Sequence, residues 1–502
     1  MNFYSYQFLF IFLTITLLGY HLIGKKKYGR LAIVWLVTAS LLFYWLNNPF
    51  YVILIICSIA FNYAIGIILT NQKASNHQKL IVISGITINI LLLGYYKYAN
   101  FFIDNANAIF NGDFSLNIII LPLGISFFSI QQIAYLVDTY RGEIGKHNFI
   151  DYCLFIAFFP KLISGPIVRF KEMMPQVVTN RMPNITKENV TVGLTALILG
   201  LFKKVVLADS FGVYADPVFN AAATGNAVSF VDSWIGALSY TFQLYFDFSG
   251  YSDMAIGLGL MFGIRLPLNF YSPYKATSII DFWRRWHITL SRFIQDYLYI
   301  PLGGNRKGFP RQVINLLVAM AIAGFWHGAG WTFIVWGALH GLYLAINHSW
   351  RRLKRKMGWD LKSSTAWRTV ISILVTFIAL TVAWVFFRAD TLSTATVILK
   401  GMIGMNGSVL PHTLYNALGV MKTLSFVIWL TASIVICWFL PNVQEYLSNY
   451  KPTLDSFVDE GKKYHSWERW APSFWRAVIV AAMATLAILG LTNVSEFIYV
   501  QF

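Results

Sequence analysis

The sequence predicts an all-α protein that crosses a membrane many times, and three observations support this prediction. Of its 502 residues, 57% are hydrophobic and only 12% are charged. The apolar residues form runs that can cross about 30 Å of hydrocarbon, a distance that takes roughly 20 helical residues. Backbone polar groups must pair within such a segment, so these runs favour helices. The runs lie near residues 7–23, 31–46, 50–70, 80–95, 118–137, 152–167, 190–207, 234–263, 313–324, 331–347, 370–387, 424–440 and 477–491.

These runs predict about 11–13 transmembrane or half-membrane helices within a single integral membrane domain, 1–502. Glycine and proline interrupt two of them, at 121–124 and at 164–166. Non-helical backbone is tolerated at membrane depth only where protein or a water-filled cavity covers it. We therefore expect the helices to surround a central tunnel.

The charge pattern predicts a bilayer as the partner and argues against nucleic acid. The net charge of +17 comes from residues between the apolar runs, where cytoplasmic loops normally carry Lys and Arg. The first connection contains Lys25, Lys26, Lys27 and Arg30, whereas the second, at 47–49, contains no charge. This alternation predicts a periplasmic N-terminus and a cytoplasmic first loop.

Two histidines lie in segments that are too apolar to be ordinary surface. Residues 281–298 are predicted to form one basic aromatic helix, with His287 on its apolar face four residues after Trp283. His327 follows Trp326 just after an apolar run. Ionisable residues at membrane depth are costly, and they are functional candidates for that reason. The alternative is structural: an interfacial anchor for His287 and a core histidine bonded to a backbone carbonyl for His327.

The segment from Asp247 to Asp253 places two carboxylates in an otherwise apolar span. Paired carboxylates can act as acid and base or bind metal, but no histidine is close enough in sequence to complete a metal-site spacing. We expect a structural polar network with Arg284 or Arg285, and neither a metal nor a permanently bound cofactor.

Two weaker candidates follow in the same region. The turn 303–308, which contains Asn305, resembles a phosphate-cradling loop but is equally consistent with a tight interhelical connection. His340 lies 13 residues after His327, on a related helical face. His340 could support the site from behind His327, or it could have only a structural role in the packing of its helix.

Five segments together resemble the membrane-bound O-acyltransferase family, in particular its bacterial branch that O-acetylates exported polysaccharides or peptidoglycan. The resemblance implies an all-α fold around a tunnel, with N-terminal helices at 1–117, a catalytic core at 118–350 and C-terminal helices at 351–502. The segments are FPKLISGPIVRF (159–170), YFDFSGYSDMAIGLG (245–259), DFWRRWH (281–287), YIPLGGNRKG (299–308) and GFWHGAGWTFIVWGALHG (324–341).

The resemblance also implies a chemistry. His327 would be the family's essential histidine, taking the proton of the attacking hydroxyl near neutral pH. His287 would line the same tunnel and orient the donor or polarise its carbonyl. The group would be acetyl, delivered from a cytoplasmic thioester, acetyl-CoA, at the bacterial inner membrane. Because the sequence offers no soluble domain with a Gly-x-Ser-x-Gly nucleophile, a separate periplasmic acetyltransferase subunit is the expected partner.

The terminal sequence FIYVQF suggests a relay for the acyl group. Similar tails in this branch lead to the hypothesis that Tyr499 enters the tunnel from outside and carries the acyl group on its hydroxyl. The alternative is an aromatic anchor at the membrane interface. Two other functions stay open: D-alanyl transfer to teichoic acid, and a transporter or flippase of lipid-linked sugars, which would favour an inverted internal repeat.

Overall fold

The computed structural model describes residues 1–25, 29–71, 76–116, 119–179, 186–359, 365–455 and 468–498. Within these ranges the regular structure is helical and contains no β-strand, which confirms the predicted all-α class. The α-helices are Leu13–Lys25, Gly29–Asn47, Val52–Asn71, Asn76–Leu93, Ala99–Phe110, Ile125–Tyr140, Phe149–Ala157, Phe159–Leu162, Phe170–Thr179, Lys187–Phe202, Asp209–Ala223, Phe230–Met261, Ile279–Trp283, Ile288–Ile294, Phe309–His327, Trp331–Lys356, Ala366–Arg388, Leu392–Met402, His412–Leu418, Val420–Leu424, Phe426–Ile434, Val443–Tyr446 and Phe474–Gly490.

Eight of the described helical segments are long and apolar enough to cross a membrane, so the chain is a multi-pass membrane protein. They are Gln7–Gly24, Gly29–Asn47, Pro49–Asn71, His77–Phe110, Lys187–Ala223, Phe309–His327, Ala366–Arg388 and Val420–Phe439. Four more predicted runs each form one helix outside this set, Ile125–Tyr140, Phe230–Met261, Trp331–Lys356 and Phe474–Gly490, and the run 152–167 forms the two short helices Phe149–Ala157 and Phe159–Leu162. π-helical turns, such as Gly94–Tyr98 and Lys203–Ala208, continue several of the α-helices.

Both predicted interruptions are confirmed, and they pack against each other. Gly124 has a φ of +71°, which favours glycine, and it precedes the helix Ile125–Tyr140. A Cβ atom at this position would lie 2.6 Å from the carbonyl oxygen of Leu162, the last residue of the short helix Phe159–Leu162. The two breaks therefore cover each other's backbone, as membrane depth requires.

The helix Phe230–Met261 is the centre of the fold, because almost all of its residues are buried. Lys187–Phe202 packs directly on it through glycines, and a Cβ on Gly257 would lie 2.4 Å from the carbonyl oxygen of Gly193. Close backbone approach through small residues is typical of membrane helix pairs. This contact fixes the central helix, which carries Asp247, Phe248 and Asp253 into the interior.

The predicted continuous helix over 281–298 is wrong. The helix Ile279–Trp283 ends, and the chain turns before the helix Ile288–Ile294 begins. His287 lies at this break with a φ of +42°, in the left-handed region that non-glycine residues rarely adopt. Strained backbone of this kind clusters at functional sites, where the surrounding structure holds it in place.

Candidate active site

The two candidate histidines meet inside the fold. Their ring centroids are 6.4 Å apart, and both side chains are buried, at 0% and 3% exposure for His287 and His327. His327 is the last residue of the helix Phe309–His327, which ends because Gly328 is extended. His287 arrives from the backbone break described above. One histidine of the pair therefore lies at the end of a helix, and the other lies at a break between two helices.

Asn269 orients His287. The Asn269 Oδ1 atom lies 3.1 Å from His287 Nδ1, and it accepts hydrogen bonds from Thr289 Oγ1 at 2.9 Å and the Thr289 backbone N–H at 3.4 Å. Because a backbone N–H can only donate, this Asn269 atom is the carbonyl oxygen, and His287 Nδ1 carries the proton that it accepts. A neutral His287 therefore presents Nε2 as a hydrogen-bond acceptor.

The helix end that carries His327 is held from another helix. Lys97 donates to the carbonyl oxygens of Trp326 at 2.7 Å and His327 at 2.9 Å. Tyr98 donates to the carbonyl oxygen of Phe325 at 2.9 Å. Three carbonyl groups of the last helical turn, those of Phe325, Trp326 and His327, therefore have partners although the helix stops in the interior.

Aromatic rings connect His327 to His340. The Trp336 ring lies 5.1 Å from His327 and 4.7 Å from His340, and Trp283 lies 5.2 Å from His340. His340 is fully buried, and neither of its ring nitrogens has a hydrogen-bond partner among the residues described. Trp326 lies 5.0 Å from His327, and its indole N–H likewise lacks a partner in that part of the chain. The histidine pair thus lies in an aromatic enclosure with a few polar atoms.

The prediction that Arg284 or Arg285 binds the carboxylates of Asp247 and Asp253 is wrong. Asp253 pairs with Lys203 at 2.6 Å, and Asp247 pairs with Lys204 at 2.8 Å. Both lysines are the first residues of the π-helical turn Lys203–Ala208, which follows Lys187–Phe202, and Lys187–Phe202 packs against the helix that carries the carboxylates. Arg285 instead pairs with Asp281, one helical turn earlier, at 2.9 Å.

The structure does not bring Arg284 or Asn305 to the histidine pair. Both side chains are exposed. Asn305 belongs to the turn before the helix Phe309–His327. The Asn315 side chain stabilises that turn by donating a hydrogen bond to the Gly304 carbonyl oxygen at 2.9 Å. This geometry is that of an interhelical connection.

Tyr499 lies outside the described residues, but the chain just before it is buried next to the site. Phe497 is 1% exposed and Ile498 is 6% exposed. The Phe497 ring lies 5.9 Å from Phe248, which in turn lies 4.8 Å from the His287 ring. The C-terminal segment therefore enters the interior on the side of His287.

Polar groups fix this segment in place, and we call Tyr4, Lys204, Asp209 and Asp247 the tail clamp. Asp247 accepts the Ile498 N–H at 3.0 Å, and Tyr4 accepts the Phe497 N–H at 3.1 Å. Lys204 donates to Ser495 Oγ at 3.1 Å, and Ser495 donates to Asp209 at 2.6 Å. Buried charges are rarely retained without such partners, so the clamp accounts for the Lys204–Asp247 pair.

A charged cluster lies at the C-terminal end of the helix Ile125–Tyr140. Asp138 accepts a hydrogen bond from Tyr297 at 2.7 Å and lies 3.4 Å from the Lys171 ammonium. Lys171 also bonds to Glu143, and this hydrogen bond lowers the pKa of the Glu143 carboxyl from its ordinary value. Near its start, the same helix places Phe127 with its ring centroid 6.5 Å from that of His287. One helix therefore links this charged cluster to the histidine pair.

Sequence reasoning missed Asn269, Lys97 and Lys204. A usable signal existed for the lysines, since Lys204 lies in the predicted run 190–207 and Lys97 lies two residues after the end of the run 80–95. The rule that marks ionisable residues at membrane depth as functional candidates applies to them as it does to histidine. Asn269 gave no such signal, because its importance depends on what it contacts.

The fold and the site together define a polytopic membrane protein with a buried histidine pair suited to proton transfer. The sequence matches the family model for the membrane-bound O-acyltransferase family over residues 121–388. It is 45% identical to a peptidoglycan O-acetyltransferase of Helicobacter pylori over 431 residues, covering 81% of this chain and 80% of that protein. It is 38% identical to a probable alginate O-acetylase AlgI of Pseudomonas putida, over 100% of both chains.

More distant similarity extends to a teichoic acid D-alanyltransferase of Streptococcus thermophilus, at 30% identity over 53% of this chain and 68% of that protein. The chain belongs to the membrane-bound O-acyltransferase family, and it is accordingly a membrane enzyme that transfers acyl groups to oxygen. This assignment removes the transporter alternative.

Proposed function

We propose that this protein takes an acetyl group from acetyl-CoA on the cytoplasmic side of the bacterial inner membrane and delivers it to an exported polysaccharide or peptidoglycan. The observation that carries the proposal is the buried pair of His287 and His327, 6.4 Å apart, inside an aromatic enclosure. Water exclusion protects an activated acyl group from hydrolysis. The relatives, a peptidoglycan O-acetyltransferase and a probable alginate O-acetylase, support acetyl as the group and a glycan as its destination.

In the first step, the Tyr499 hydroxyl oxygen attacks the thioester carbonyl while His327 accepts the hydroxyl proton. The carbon–sulfur bond breaks as the new carbon–oxygen bond forms, and His327 returns its proton to the departing thiolate. Because the single proton of the Tyr499 hydroxyl goes to His327, the acceptor Nε2 of neutral His287 orients the donor by accepting one of its N–H groups rather than polarising its carbonyl. The indole N–H of Trp326, which is buried next to His327, donates to the oxyanion in this proposal.

In the second step, a hydroxyl of the acceptor attacks the acetyl-tyrosine ester. The tyrosine hydroxyl is regenerated with the proton that the acceptor loses. A thioester has enough transfer potential to form an oxygen ester, so the two reaction steps need no further energy source. The tail clamp supports this relay, because it holds Phe497 beside Phe248, whose ring lies next to His287.

The direction of transfer follows from the charges. The connections after residues 24 and 71 lie on one side of an alternating topology and carry Lys and Arg, whereas the connection after residue 47, on the other side, carries none. The charged side is cytoplasmic in our proposal, which puts the N-terminus in the periplasm. A periplasmic acetyltransferase subunit then collects the acetyl group and attaches it to the polymer. Acetyl is favoured over D-alanine because the O-acetylating relatives match more of the chain at higher identity.

The test is acetyl transfer from labelled acetyl-CoA by the purified protein in lipid vesicles. We expect label on the protein and on an added polymer-acetylating partner, and loss of both with His327→Ala. Tyr499→Phe should remove label from the protein while leaving donor binding intact. His412→Ala, which changes an exposed histidine, is the matched control. An active His327→Ala enzyme refutes the catalytic assignment, and a folded wild type that transfers nothing refutes acetyl-CoA as the donor.

A further inference from the structure

The end of the helix Phe309–His327 poses a structural problem. The last four carbonyl groups of an α-helix have no partner within the helix. The extended Gly328 stops this helix at His327, whose side chain is 3% exposed. Unpaired polar groups in a buried environment cost several kcal/mol each. Donors must therefore come from elsewhere in the fold.

Lys97 and Tyr98 supply these donors. The Lys97 ammonium reaches the carbonyl oxygens of Trp326 and His327 and also Ser126 Oγ, at 2.7, 2.9 and 3.2 Å. The Tyr98 hydroxyl reaches Phe325 at 2.9 Å. Three of the four terminal carbonyl groups thus bond to two adjacent residues of one other segment.

The charge of Lys97 matches the same task. A helix C-terminus carries a partial negative charge, and a cation placed there is stabilising. The hydrogen-bond acceptors of the ammonium in the described chain are neutral oxygens, with no carboxylate among them. Lys97 also lies in the π-helical turn Gly94–Tyr98 that interrupts a membrane-spanning helix. Such turns occur frequently at functional sites, because they redirect side chains within a helix.

We propose that Lys97 is a positioning residue for acyl transfer: its ammonium clamps the end of the helix Phe309–His327 and so holds the His327 ring at its working distance from His287. This inference rests on the proposed function of His327 as the base. A side chain 229 residues away in sequence thereby ties the N-terminal helices to the reaction. Lys97 does not touch the reacting atoms in this role.

The experiment compares Lys97→Met, Lys97→Arg and wild type in lipid nanodiscs. Small misplacement of a catalytic group costs about 100-fold in rate. We therefore expect kcat to fall about 10- to 100-fold in Lys97→Met, with KM for acetyl-CoA within about threefold of wild type. Lys97→Arg should recover most of the loss, since it keeps the charge and the donors. Lys79→Met is the matched control, because it removes an exposed lysine near the start of the same helical segment. This variant should behave as wild type.

Hydrogen exchange of the amides at 321–327 provides a second readout that needs no activity. Loss of the clamp should let the last helical turn fray, and exchange there should rise about tenfold in Lys97→Met but not in Lys97→Arg. A kcat within twofold of wild type, a loss confined to KM, or unchanged exchange overturns the proposal. If wild type transfers no acetyl group, the proposed function fails, and the exchange result alone then decides whether Lys97 holds the helix end.

Discussion

Removing the lysine of the tail clamp should destabilise the protein far more than removing the whole charge pair. Asp247 and Lys204 are 0% and 1% exposed, with their charged atoms 2.8 Å apart. Lys204→Met leaves the Asp247 carboxylate buried without its cation, and breaking a buried pair in this way costs about 3–5 kcal/mol. In Lys204→Met/Asp247→Asn the fully buried charge of Asp247 is gone, and the asparagine oxygen can still accept the Ile498 N–H. Asp209, which also pairs with Lys204 at 2.9 Å, is less buried, at 13% exposure, and keeps its hydrogen bond from Ser495. We therefore expect most of the lost stability to return.

The assay is equilibrium unfolding in mixed micelles, with the two single variants, the double variant and wild type forming a double-mutant cycle. Arg388→Met is the control, because its pair with Asp216 is a partly exposed contact, at 25% and 53% side-chain exposure. Pairs of that kind contribute about 0–1 kcal/mol. If the double variant is as unstable as Lys204→Met, or if the two single losses simply add, the reasoning about an uncompensated buried charge is refuted.

Two further predictions concern the site and the central helix pair. Asn269→Ala removes the acceptor that orients His287, so kcat for acetyl transfer should fall about 100-fold, while donor binding keeps its affinity. An unchanged kcat would contradict the assigned tautomer of His287. Gly257→Ala places a Cβ 2.4 Å from the Gly193 carbonyl oxygen and should lower the free energy of unfolding by about 1–3 kcal/mol, whereas Gly145→Ala, in open space, should leave it unchanged.

The sequence determined the fold class and the positions of the helices. Hydropathy and run length are local properties, and they located the membrane helices and both interruptions, including the one at Gly124. The same reasoning selected His287 and His327, because an ionisable ring is conspicuous in an apolar segment. The family resemblance indicated the chemistry, and the comparisons confirm the family.

Only the tertiary structure decided how the site is built. Periodicity predicted a continuous helix through His287, but packing and the Asn269 contacts hold that residue in a left-handed conformation that no sequence pattern indicates. The partners of Asp247 and Asp253 turned out to be lysines of a neighbouring helix rather than nearby arginines.

Lys97 shows the same limit over a longer distance. It reaches the end of the His327 helix across 229 residues of sequence. The hydrogen bonds and ion pairs that form this site join segments distant in the chain, so they are fixed by how the helices pack. Composition and spacing can mark a buried charge as important, but the contact that satisfies it exists only once the helices are assembled.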